Sequence, residues 1–168
     1  MRKTFAPEHC NSFTDAQLFG LCDKPHPAQE PAYTDTNSPE RWIATVHNPE
    51  GRQLTFTAVD HCLDLRREDG KMGKRCDGML RYDTTVIFTE LKQRRDKGSE
   101  WIKTAESQLR ETISHFEVCG EAGTYKKKRA YICNSEQPAF RVSQIERMER
   151  FFRETGYILR IEARIKID

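Results

Sequence analysis

The stretch 74–93, KRCDGMLRYDTTVIFTELKQ, carries two acids and an amine at a spacing that suits metal-assisted chemistry: Asp77, Glu90 and Lys92. Glu90 and Lys92 stand two apart in an apolar, strand-like run, so their side chains share one face. Mg²⁺ takes oxygen ligands in an octahedron and keeps several waters, so one or two protein carboxylates suffice to hold it. Asp77 and Glu90 are groups of that kind, and the carbonyl of Leu91 is a further candidate ligand for Mg²⁺ or Mn²⁺. Such a metal stabilises charge on a phosphate and lowers the pKa of its bound water. Lys92, beside that water, could orient or deprotonate it, or stabilise negative charge in the transition state. A hydrophilic rim is the plainer reading of the same three charges.

For these side chains to meet, the strand opened by Asp77 must pair with the strand ending in Glu90-Leu91-Lys92. A turn around Asp83-Thr84, between Met79-Leu80 and the apolar run 86–91, predicts that hairpin. The near-continuous apolar character of 86–91 suits a central strand covered on both faces. Upstream, the β-rich runs 41–47 and 52–59 flank Asn48-Pro49-Glu50-Gly51 and predict another hairpin. In the second run Leu54, Phe56 and Ala58 share one face, and Thr55, Thr57 and Val59 the other.

Downstream, Trp101, Ala105, Leu109, Ile113 and Phe116 recur at helical steps and predict a helix over 99–118. The basic cluster 126–129 opens a short strand over 130–133. Ser143-Gln144-Ile145-Glu146 has the form of a capping box. It leads a helix whose apolar stripe is Val142, Ile145, Met148 and Phe152, ending near Gly156. The run 158–167 alternates apolar and charged residues, as a half-buried strand near a sheet edge does. At the start, Thr14-Asp15-Ala16-Gln17 predicts a short helix over about 14–22, before a proline-rich loop. Residues 1–168 read as a single domain, with 1–40 as a loop-rich N-terminal arm. Hairpin, hairpin, helix, strand, helix, strand makes a sheet with helices packed on it.

Asp77, a spacer, then Glu90-Leu91-Lys92 at the end of an apolar strand, followed by a helix, resembles the PD-(D/E)xK nuclease superfamily. The likeness covers roughly 40–135. It implies an α/β fold with a central mixed β-sheet flanked by helices, a restriction-endonuclease-like core of helix, three strands, helix, strand. It further implies Mg²⁺-dependent hydrolysis of phosphodiesters, DNA ahead of RNA, in a setting such as genome defence. Asp77 and Glu90 would be metal ligands and Lys92 the catalytic lysine. Gln108 matches the glutamine that many members place on the following helix. Cys76 stands where the family pattern has proline, and the acid that the family often adds from an early helix is open between Glu40 and Glu30, with Asp60 as another acid near the site. Dimerisation to cut two strands enters by analogy alone.

Nucleic acid as a partner asks for cations, because phosphate contacts dominate affinity. Arg66, Arg67, Lys74 and Arg75 precede or adjoin Asp77, and Arg94, Arg95 and Lys97 follow Lys92. Both segments could flank one cleft, or be solvated faces. The whole chain does not declare a nucleic-acid binder: 28 basic against 26 acidic residues leave a net charge of +2. The opening residues lack the apolar run of a secretory signal, and no stretch approaches the roughly 20 apolar residues that span a bilayer. The expectation is therefore a cytoplasmic domain, not a membrane protein, whose six cysteines are reduced thiols. Trp42 and Trp101 sit in apolar patterns and are expected to anchor the core. His9, Cys10, Cys22 and His26 offer a zinc site at irregular spacing. A catalytically inactive module that keeps the nuclease fold to bind nucleic acid or protein is the alternative function.

Overall fold

The computed structural model describes residues 4–25, 27–93, 98–136 and 144–168. His26, Arg94, Arg95, Lys97, Val142 and Ser143 lie outside the described residues, and with them parts of the zinc, basic-segment and capping-box expectations. In chain order the strands are β1 (Asn11–Thr14), β2 (Leu18–Cys22), β3 (Tyr33–Asp35), β4 (Ala44–His47), β5 (Leu54–Ala58), β6 (Gly78–Tyr82) and β7 (Thr85–Lys92). Helix α1 (Glu100–Val118), β8 (Lys127–Asn134), α2 (Ile145–Thr155), β9 (Ile158–Ile161) and β10 (Arg164–Lys166) follow.

Six strands form a mixed sheet in the order β1-β5-β6-β7-β8-β9, antiparallel from β1 to β7 and parallel from β7 to β9. The other four form a smaller sheet in the order β10-β4-β2-β3. Alternation along β7 explains the layering. Val86 and Phe88 pack toward α1 with Met79, Leu109, Phe116 and Ala130. Ile87 and Leu91 point the other way, into a core shared with Phe19, Leu21, Val46 and Ile165 of the smaller sheet. Helices, large sheet and small sheet are thus three layers, each pair closed by one apolar cluster. No helix among the described residues is long and apolar enough to cross a membrane.

The β6–β7 hairpin forms as expected, with Tyr82 opposite Thr85 and Gly78 opposite Thr89. Helix α1 also forms as expected, and Trp101 is buried beneath it. Several expectations are corrected. The first concerns 14–22, which is two strands rather than a helix. Thr14 Oγ1 accepts the Ala16 N–H in a local turn, and the Gln17 side chain donates to the Pro49 carbonyl instead of capping Thr14. Phe19 and Leu21 are buried on one face, while a Cβ on Gly20 between them would collide with the indole of half-buried Trp42. Residues 1–40 thus contribute three short strands, β1 to β3, to the two sheets.

The second correction is that β4 and β5 do not pair. The turn at Asn48 forms, its N–H···O bond running from Gly51 to Asn48 at 3.0 Å, but the two strands enter different sheets. Their apolar faces, Ala44 and Val46 against Leu54, Phe56 and Ala58, meet across the inter-sheet core. Third, 158–167 breaks into β9 and β10, edge strands of the two sheets. The buried side of α2 also differs from its expected stripe: Phe151 is fully buried, whereas Ile145 and Phe152 are exposed. Fourth, not all cysteines are thiols. Cys10 and Cys62 form a disulfide. Antiparallel pairing of β1 with β5 sets Asn11 opposite Thr57, which carries the residues before β1 alongside those after β5.

Candidate active site

Asp77 stands one residue before β6 and is locked by its own backbone. Its N–H donates to the Thr89 carbonyl at 3.1 Å and its carbonyl accepts from the Val59 N–H at 3.0 Å. Asp77 is thereby held between β5 and β7. Its carboxylate accepts the Leu91 N–H at 2.7 Å, and the residue is buried. Glu90 lies on the helix side of β7 in phase with Val86 and Phe88 and is 1% exposed. One of its oxygens, Oε2, has no hydrogen-bond partner among the described residues. Burial first, then the charge of Asp77, pushes the Glu90 carboxyl well above its ordinary range; the Lys92 ammonium only partly opposes this.

Lys92 projects from the same face. Its Nζ lies 3.8 Å from Glu90 Oε1 and donates to Gln108 Oε1 at 3.2 Å. Gln108 comes from α1, which is joined to the Asp77 segment at one more point. Thr112 Oγ1 accepts the Cys76 N–H at 2.9 Å while donating to the Gln108 carbonyl. The four expected side chains are therefore brought together, and with Leu91 they line one cavity of about 390 Å³.

Asp23, Asp60 and His61 line that cavity too. Asp23 follows β2, half-buried, and its carboxyl is pushed up to about 6 by burial and by the charges of Asp77 and Asp60. Asp60 is one of the acids expected from the sequence. Glu30 pairs instead with Lys24, and Glu40 is exposed on the turn Pro39–Arg41; neither lines the cavity. Asp23 was hidden in the sequence because the helix expected over 14–22 left it on no strand end. His61 adopts a left-handed backbone (φ +62°), uncommon for a residue with a side chain. Its Nε2 lies 3.3 Å from Asp60 Oδ2, and Asp60 Oδ1 in turn faces Arg75 at 3.2 Å.

The expected basic residues have mostly intramolecular partners. Arg66 pairs with Asp64 at 2.9 Å, and Arg67 with Glu111 of α1 at 2.5 Å. The Lys74 N–H also donates to Glu111, its Nζ reaches Ser107 at 3.4 Å, and Arg75 is largely buried beside Asp60 and the Leu63 carbonyl. The loop before Asp77 thus packs along α1. Among the described residues the zinc set expected from the sequence does not assemble, since Cys10 is bonded to Cys62 and Cys22 is a separate buried thiol raised to about 11.

Chemically, the Asp77 and Glu90 carboxylates are hard oxygen donors, one of them with its buried Oε2 unpartnered, a donor set that fits Mg²⁺ or Mn²⁺ rather than a soft ion. Compared with protein-family models, curated proteins and solved structures, the chain has no match.

Proposed function

We propose that this chain is a Mg²⁺- or Mn²⁺-dependent nuclease of the PD-(D/E)xK type, hydrolysing phosphodiester bonds in DNA ahead of RNA. The observation that carries this reading is the meeting of Asp77, Glu90, Lys92 and Gln108 on one cavity, with Glu90 Oε2 buried and unpartnered. The order β5, β6, β7, α1, β8 supports a restriction-endonuclease-like core of three strands, helix and strand, with β8 parallel to β7. The first helix of that core has no counterpart among the described residues, where β1 to β4 precede β5.

In this reading Asp77 and Glu90, with the Leu91 carbonyl, would hold the ion, which would supply Lewis acidity and a water of lowered pKa. The protein's own part is positioning. The Leu91 N–H fixes the Asp77 carboxylate, and Gln108 fixes the Lys92 ammonium beside Glu90. From there Lys92 orients the attacking water and stabilises the negative charge that builds on phosphorus-bound oxygen as the bond to the leaving oxygen breaks. Lys24 and Lys74, with Arg94, Arg95 and Lys97, would supply phosphate contacts, and a cytoplasmic homodimer cutting two strands is the assembly that the analogy suggests.

The test is incubation of the purified chain with supercoiled, linear and single-stranded DNA, and with RNA, in Mg²⁺ or Mn²⁺. Lys92→Ala and Glu90→Ala should each lower cleavage by about 10²–10⁴-fold. Cleavage that persists in both variants would sink the assignment. One observation favours an inactive binding module instead: Arg66, Arg67 and Arg75 are engaged by carboxylates, which leaves the described cavity mouth acidic. No cleavage of any substrate, with no Mg²⁺ binding by calorimetry, would select that reading.

A further inference from the structure

We propose that His9, Cys10 and Cys62 form a second metal site, distinct from the carboxylate cavity, that takes Zn²⁺ when the Cys10–Cys62 disulfide is reduced. Among the described residues these three are the group whose ligand atoms all lie within 4.8 Å of one another. Their meeting is a consequence of topology. Cys10 closes the turn Glu8–Cys10 just before β1, Cys62 lies just after β5, and the β1–β5 ladder holds the two ends together.

The burial pattern suits a three-ligand metal site at the edge of a core. Cys10 is buried and packs in the apolar cluster that contains Phe5, Val59 and Leu63, and Cys62 is partly buried against it. His9 is exposed, which puts the imidazole on the solvent side of the two sulfurs. Two thiolates and an imidazole are a soft donor set that selects Zn²⁺ over Mg²⁺. In a tetrahedral zinc site with Zn–S near 2.3 Å, the sulfurs stand about 3.8 Å apart. The fourth position faces water.

The redox chemistry balances. A dithiol reductant delivers two electrons and two protons to the disulfide, giving two thiols, and is itself oxidised to a disulfide. Zn²⁺ then displaces both thiol protons, so binding strengthens with pH. In a reducing compartment apposed thiols do not stay oxidised. The ion would then replace the covalent bond as the link between the turn Glu8–Cys10 and the segment 60–62, where Asp60 and His61 face the cavity. The proposal does not depend on nuclease activity.

The full chain, reduced anaerobically with a dithiol and checked by mass for the gain of two hydrogens, is titrated with Co²⁺ and then Zn²⁺. The expected result is one thiolate-ligated ion per chain, marked by a thiolate-to-cobalt charge-transfer band and tetrahedral d–d bands that Zn²⁺ abolishes. The oxidised chain should show neither. Cys62→Ser should weaken the charge-transfer band and binding about a hundredfold, and His9→Gln should weaken thiolate-site binding about tenfold or more, while Glu90→Gln leaves the charge-transfer band unchanged. His9 is exposed, so its replacement does not threaten the fold even where Cys62→Ser does. A disulfide that survives the reductant, a reduced chain that binds no Zn²⁺, or binding indifferent to His9→Gln would each overturn the proposal.

Discussion

Glu90 holds a conflict that a single substitution can expose. A buried carboxylate oxygen without a partner is costly when charged, and the charge of neighbouring Asp77 adds to that cost. Because its carboxyl titrates higher folded than unfolded, proton binding favours the folded state. Stability contributed this way is fully present below the ordinary glutamate value near 4.5 and is lost as pH rises toward the raised folded value. Asp23, pushed up to about 6, adds a loss of the same sign between roughly pH 4 and 6. In chelator at pH 7, Glu90→Gln should therefore melt higher than the wild type by a few degrees, on the order of 1–3 kcal/mol. The gap should close below about pH 4.5, where the wild-type carboxyl is neutral in both states. Mg²⁺ should raise the melting temperature of the wild type and leave Glu90→Gln nearly unmoved. Scanning calorimetry from pH 4 to 7, with and without Mg²⁺, decides this; a variant less stable than the wild type at pH 7 would remove the conflict altogether.

Between elements, the contact that matters most for the site is Thr112, fully buried on α1, whose hydroxyl accepts the Cys76 N–H beside Asp77. Thr112→Val keeps the shape and strands that N–H, so it should cost about 1–3 kcal/mol. Urea denaturation should show a lower midpoint at unchanged slope, and an unchanged midpoint would mean that water or another acceptor replaces the hydroxyl. This bond explains what could and could not be read from the chain alone. The β6–β7 hairpin and α1 were legible because turn chemistry and periodicity are local, and Asp77, Glu90, Lys92 and Gln108 ride on those elements. The small sheet was not legible. Its strands β2 and β3 are only five and three residues long, too short to show a period, and β2 follows directly on a false capping box, while β4 and β10 were expected as strands but not as each other's partners. Asp23 was lost with β2. The Cys10–Cys62 pairing was lost because it follows from β1 joining the large sheet, a contact between segments that no local pattern announces.

At the scale of the whole molecule, the two sheets share a core and are also tied at one edge by Asp168. That residue follows β10 of the small sheet, yet its carboxylate reaches three groups of the large one. It accepts from Tyr82 Oη of β6 at 2.9 Å, from an Arg129 guanidinium nitrogen of β8 at 3.0 Å and from Lys127 Nζ at 3.3 Å. The Arg129 and Tyr82 hydrogen bonds, with Lys127 behind them, hold the Asp168 carboxyl well below the ordinary carboxylate range. A carboxyl with a depressed folded pKa stabilises the fold at pH values above its unfolded pKa. That contribution drains away as the pH falls below the ordinary carboxylate range toward the folded value, opposite in sign to that of Glu90. The side chain is 47% exposed, so solvent screening limits the cluster to about 1 kcal/mol, or about 2–4 °C in a chain of this size. Asp168→Asn should lower the melting temperature by that amount at pH 7 and progressively less in acid. It should also loosen the edge between layers: backbone amides of β10 should exchange faster in hydrogen–deuterium measurements, while those of β7 around Glu90 keep wild-type protection. Equal acceleration in both strands would show that the layers open as one cooperative unit and that Asp168 is no local tie.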